Sequence, residues 1–182
     1  MTRDERLALI RGKRCGSGAA YKAPGLFLAS NPEAASAVKP NARLAPTGGH
    51  WRCRGLRMKG RTVAVWGLAF KPRTDDMREA PSVPLIDALL GASAKVQAFD
   101  PEAAKTARDI FGPKVTFAAT NYDALKGADC LAIVTEWNEF RRPDFARMRS
   151  LMRAPVVFDG RNLFEPGQMK QNGFTYYSIG RS

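Results

Sequence analysis

Apolar and polar positions divide this chain into two stretches of different character. Over residues 1–57 no period of 3.6 or 2 is sustained, and Pro24, Pro32, Pro40 and Pro46 interrupt the runs that begin. This stretch reads as irregular and largely disordered. A short helix over residues 4–10 follows an acidic start, but an apolar face of Leu7, Ala8 and Ile10 is too small to hold it alone. From Met58 the pattern changes. Short apolar runs at 62–66, 95–99, 115–118, 130–135, 156–159 and 174–179 predict strands, and stretches of helical period at 82–90, 102–111, 122–126 and 145–152 fall between them. Ser82 is the expected N-cap of the first of these helices. The fourth run, Cys130 to Thr135, is apolar on both faces, which marks a strand covered from both sides. The alternation predicts an α/β fold: a Rossmann-like parallel sheet of about six strands with helices on both faces. The expected organisation is a basic, irregular segment over 1–57 and one folded domain over 58–182.

Charge sharpens that boundary. The 182 residues carry a net charge of +12, of which residues 1–60 hold 12 Lys and Arg against 3 Asp and Glu. The remainder is nearly balanced, with 17 against 14. A polyanion-binding tail is therefore one reading, but only Trp51 stands near Arg52, Arg54 and Arg57, and this lack of interleaved aromatics argues against nucleic acid. No run of 18 apolar residues predicts a membrane span, and the first residues lack the apolar core of a secretory signal; a cytoplasmic protein is expected. The 3 cysteines, Cys15, Cys53 and Cys130, are widely spaced and form no C-x-x-C pair, so no metal site is predicted.

The chemistry gathers in the loop that leaves the first strand of the domain. In an open parallel sheet, ligands sit beyond the carboxyl ends of the strands. A dinucleotide fingerprint would need glycine at 67, 69 and 72, and the last two positions hold Ala69 and Pro72. Side chains must then supply positive charge, and Lys71, Arg73 and Arg78 are available. Asp100 imitates the acid that holds a ribose in such folds, while Asp100-Pro101 also reads as an ordinary strand-to-helix turn. After the fifth strand, Asp159-Gly160-Arg161-Asn162 offers a second cation at the same end of the sheet. Two cationic loops suggest an anionic ligand such as a phosphate ester, against the alternative of solvated surface charge.

Taken together, Gly67-Leu68-Ala69-Phe70-Lys71-Pro72, Thr74-Asp75-Asp76-Met77-Arg78-Glu79-Ala80-Pro81, Ala98-Phe99-Asp100-Pro101, Val134-Thr135-Glu136-Trp137-Asn138-Glu139-Phe140 and Asp159-Gly160-Arg161-Asn162 resemble the C-terminal domain of the UDP-glucose/GDP-mannose dehydrogenase family. The resemblance runs over about residues 58–182 and is nearest to the UDP-glucose branch. It implies an oxidoreductase that takes the sugar C6 alcohol of UDP-glucose, or a related nucleotide sugar, to a carboxylate in two NAD-dependent steps. By the same resemblance Phe70, Lys71 and Arg161 contact the substrate and Arg78 contacts NAD, while Asp76 and Glu79 hold the loop's shape. Trp137 either packs near the nucleotide or is a rim or core aromatic.

The departures from the family matter as much. Nothing here resembles the family's NAD-binding domain or its nucleophilic cysteine motif. Cys15 lies in Lys13-Arg14-Cys15-Gly16-Ser17-Gly18, which lacks the family's residue order, Cys130 lies inside an apolar strand, and His50 is the single histidine. No catalytic residue is assigned. The expectation is a UDP-sugar-binding fragment that does not turn over alone, completed by a separate chain if one exists; a folded remnant is the alternative. Residues 1–57 resemble nothing that precedes this domain in the family, which suggests a truncated or frame-shifted gene with a misread start.

Overall fold

The computed structural model describes residues 58–179 in full, together with the backbone of three strands before them, β1 (Leu26–Phe27), β2 (Val38–Thr47) and β3 (His50–Leu56). These three form an antiparallel sheet in the order β1, β2, β3, with Thr47 paired to His50 across the sequence pair Gly48 and Gly49. The sequence reading assigned no element there; a two-residue Gly-Gly connection is a hairpin signal that it passed over. The short helical stretch considered over 4–10 and Cys15 lie outside the described residues.

The domain begins with β4 (Thr62–Trp66) and continues through α1 (Ser82–Gly91), β5 (Lys95–Phe99), α2 (Ala104–Phe111), β6 (Val115–Phe117), α3 (Asn121–Leu125), β7 (Cys130–Ile133), α4 (Phe145–Leu151), β8 (Val156–Asp159), α5 (Pro166–Gln171) and β9 (Thr175–Ser178). The six strands β4 to β9 pair in parallel in the order β6, β5, β4, β7, β8, β9. This is the strand order of a doubly wound Rossmann sheet, which reverses direction between β4 and β7. The expected fold class therefore holds. One helix, α5, was not expected: Pro166 opens it at a position where the missing N–H costs nothing, and Met169 is its buried anchor.

Alternation along each strand divides the core into two layers. Val63 and Val65 of β4 join Leu85, Ile86 and Leu89 of α1 and Ala107 and Ile110 of α2 on one face. Ala64 and Trp66 point the other way, to Leu125 of α3, Met148 of α4 and Met169 of α5. Trp66 is fully buried, stacks on Phe140 with ring centroids 4.9 Å apart, and donates its indole N–H to the Asn121 carbonyl at 2.8 Å. Ser82 departs from its expected role. Pro81 occupies the N-cap, and Ser82 is buried with its hydroxyl donating to the Leu68 carbonyl, which ties α1 to the loop after β4. Among the described residues no helix is long and apolar enough to cross a membrane.

Candidate functional site

The reversal between β4 and β7 leaves a crevice at their carboxyl ends, and the chain packs this point very tightly. Gly67 leaves β4 with φ of 84°, and a Cβ there would lie 2.5 Å from Thr135 Cβ. Only glycine satisfies both the conformation and the close approach. Thr135, at the end of β7, donates its hydroxyl to the Ala69 carbonyl at 2.6 Å. Gly160, after β8, donates its N–H to the Ile133 carbonyl at 2.9 Å, and a Cβ on it would lie 2.8 Å from that oxygen. The ends of β4, β7 and β8 are thus locked to one another.

Two buried carboxylates organise the floor. Asp100, 2% exposed, accepts the Leu68 N–H at 2.6 Å, the Ala69 N–H at 3.1 Å and the Trp137 indole N–H at 3.1 Å on Oδ2. Its Oδ1 accepts the Glu102 and Ala103 amides at 2.9 and 2.8 Å. Five donors satisfy this buried carboxyl without a counter-ion. The turn reading of Asp100 is therefore the correct one, and Trp137 is a core aromatic, 8% exposed and anchored on that acid. Asp159, fully buried, does the same work after β8, accepting the Arg161, Leu163 and Phe164 amides and the Tyr176 hydroxyl.

The rim is built differently. The Phe70 N–H closes a loop onto the Asp76 carbonyl at 2.9 Å, and Asp76 grips Arg78 through a two-pronged contact, Nε to Oδ1 at 3.0 Å and Nη2 to Oδ2 at 2.8 Å. The Arg78 hydrogen bonds hold the Asp76 carboxyl down at about 2, with a smaller contribution from the positive charge of Lys71. Arg73 and Glu79 stand at positive φ, 61° and 57°, in a region that side chains rarely take. A groove of about 520 Å³ opens beside this loop, lined by Pro72, Arg73, Pro101, Glu136, Trp137 and Arg141. Glu139, also on its wall, has its carboxyl pushed above the usual range by burial and secondarily by the charge of Asp100.

The residues singled out from the sequence fall at three places. Phe70 is the exposed large apolar side chain of the domain, and Lys71 stands exposed beside it. Arg161 crosses the crevice toward them: its Nε–H donates to the Val134 carbonyl at 2.7 Å and its Nη2 reaches the Phe70 carbonyl at 3.5 Å. The Arg78 side chain is 75% exposed and occupied by Asp76. Sequence reasoning did not anticipate Glu136, whose Oε2 lies 2.9 Å from Arg161 Nε, nor the bond from Trp137 to Asp100. The available signal was a polar triplet, Thr135-Glu136-Trp137, directly after an entirely buried strand.

Comparison with known proteins places the fold in a family. Residues 64–166 match the model of the UDP-glucose/GDP-mannose dehydrogenase family, UDP binding domain. A UDP-glucose 6-dehydrogenase from Pseudomonas aeruginosa is 49% identical over 130 residues, covering 69% of this chain and 29% of that protein. Among solved structures, a UDP-glucose dehydrogenase from the archaeon Pyrobaculum islandicum superposes with a TM-score of 0.55 at 34% identity, covering 65% of this chain and 25% of that one. An NDP-N-acetyl-D-galactosaminuronic acid dehydrogenase from Methanosarcina mazei gives a TM-score of 0.60 at 30% identity, over 70% of this chain and 26% of the other. The chain spans less than a third of the length of these relatives, and it belongs to the UDP-glucose/GDP-mannose dehydrogenase family, whose UDP-binding domain it contains.

Proposed function

We propose that this chain is the UDP-sugar-binding portion of a UDP-glucose 6-dehydrogenase and that it does not oxidise the sugar alone. The observation that carries the reading is the approach of Arg161 across the crevice to the Phe70 carbonyl, which gathers Phe70, Lys71 and Arg161 into one amphipathic patch. An aromatic face beside two cations suits a nucleotide diphosphate: the ring takes a planar or apolar surface and the cations take the phosphates. On this reading Phe70, Lys71 and Arg161 are the substrate residues.

NAD does not fit this crevice. The Leu68 and Ala69 amides, which stand where a doubly wound fold binds a pyrophosphate, already donate to Asp100. Arg78, the residue that the resemblance assigns to NAD, is a single surface cation paired with Asp76. The oxidation therefore draws its cofactor site and its nucleophile from outside this crevice, and we propose a separate chain as their source. Soluble nucleotide sugars make cytoplasmic work the natural setting.

The test is a titration of the full chain with UDP-glucose, followed by NMR, for the wild type and for Lys71→Ala and Arg161→Ala. A dissociation constant on the order of millimolar is expected, because two charge-assisted contacts of about 1.5–3 kcal/mol each stand against the cost of association. Each substitution should weaken binding about tenfold or more. Saturable binding that ignores both substitutions would refute the assignment of the site.

A further inference from the structure

We propose that Glu136 is a specificity residue: an internal carboxylate that competes for Arg161 and yields only to a ligand carrying more than one negative charge. The proposal rests on the reading of this crevice as a nucleotide-sugar site. Glu136 is held in place from both sides. Thr135 and Trp137 are 0% and 8% exposed, and their side chains donate to the Ala69 carbonyl and to Asp100. The backbone of the residue between them is thereby fixed, and its side chain faces Arg161.

The contact is charged but poorly hydrogen-bonded. Arg161 Nε lies 2.9 Å from Glu136 Oε2, yet its N–H is directed at the Val134 carbonyl 2.7 Å away. Oε2 is shut off from solvent and accepts no hydrogen bond among the described residues. A strong arginine–carboxylate pair uses two parallel N–H groups. Here the outer edge of the guanidinium is left over: Nη2 makes only the long contact to Phe70, and Nη1 has no partner among the described residues. Arg161 therefore presents its donors outward while a negative charge sits at its back.

That arrangement filters ligands by charge. A singly charged anion gains one attraction to Arg161 and meets an equal charge on Glu136 a short distance behind it. A diphosphate brings more charge and enough oxygens to engage Nη1, Nη2 and Lys71 together. Removing the Glu136 charge while keeping its shape should strengthen every anion and relax the selection between them.

The experiment compares the full-length wild type with Glu136→Gln, following the Arg161 Nε–H and the Trp137 indole N–H by NMR during titration with inorganic pyrophosphate, acetate, UDP-glucose and uridine. The variant is expected to bind pyrophosphate and UDP-glucose about threefold to tenfold more tightly. Acetate should become visible at Arg161, and uridine should be unaffected. An unmoved Trp137 resonance certifies the scaffold; if glutamine disturbs it, Glu136→Ala is read instead. Unchanged or weaker pyrophosphate binding in the variant, or none in either protein at tens of millimolar, overturns the proposal. UDP-glucose failing with both proteins while pyrophosphate tightens would refute the nucleotide-sugar reading and leave the competing carboxylate. UDP-glucose binding both proteins equally would do the reverse.

Discussion

The floor and the rim of this crevice lie within a few residues of each other in sequence, yet they are built on opposite terms. The floor is buried and saturated: Asp100 and Asp159, at 2% and 0% exposure, take backbone amides from both sides of the strand ends. The rim is exposed and lightly tied, with Phe70 at 42% exposure, Lys71 beside it, and Arg78 held only by its neighbour Asp76. A loop that carries exposed cations such as Lys71 and Arg73 needs its shape fixed from elsewhere. The buried acids supply that shape, through amides on both sides of the strand ends.

The sharpest way to break this division is at its most connected residue. Asp100→Ala leaves five donors of the floor, three facing Oδ2 and two facing Oδ1, without an acceptor. A loss of about 4 kcal/mol or more in unfolding free energy is expected, read from urea denaturation. Asp100→Asn is not conservative here, because either orientation of the amide points an NH₂ at donors; about 2–3 kcal/mol is expected. A tolerated asparagine would mean that the floor is less saturated than its geometry implies.

Next in size is Gly67→Ala. The φ of 84° disfavours any side chain, and the new methyl would lie 2.5 Å from Thr135 Cβ and 2.6 Å from its amide nitrogen. Backbone atoms cannot swing aside as a flexible side chain can. The exit of β4 must move away from β7, at a cost of about 3 kcal/mol in the same measurement. Because Thr135 precedes Glu136, this change should also disturb the Arg161 Nε–H, so damage to the floor becomes visible at the rim. A stability loss with that resonance unmoved would mean that the two regions are independent.

How far the sequence foretold each region follows from the same contrast. The six parallel strands were legible because burial on both faces writes long apolar runs, as at Cys130–Ile133. The cations of the rim were legible as residue types at strand ends. What escaped was pairing at a distance. Asp100 accepts from Leu68, 32 positions away, and from Trp137, 37 positions away, and no local pattern encodes which of two readings an Asp-Pro turn takes. Ser82 was misread for a related reason: a serine at a helix start is locally an N-cap, but tertiary packing gave its hydroxyl to Leu68. Glu136 was hidden in a motif read for its neighbours.

The smallest effect tests a place where the rim stabilises itself through charge. Asp76 is held at about 2, below its ordinary 3.8, chiefly by its hydrogen bonds from Arg78. A carboxyl depressed on folding contributes stability that is fully present above 3.8 and is lost as the pH falls through about 2. Arg78 is largely exposed, so solvent screening should hold the contribution below about 1 kcal/mol. Asp76→Ala should therefore lower the unfolding midpoint slightly and evenly between pH 5 and pH 8, and its difference from the wild type should shrink as the pH is taken from about 4 toward 2. Salt should shrink it too, since the pair faces water. A difference that persists undiminished at pH 2 would show that Asp76 acts through its fold of the loop, by accepting the Arg78 backbone N–H at 2.9 Å, more than through its charge. The rim would then be organised on the same terms as the floor, by an acid that collects amides, and the contrast between them would be one of burial alone.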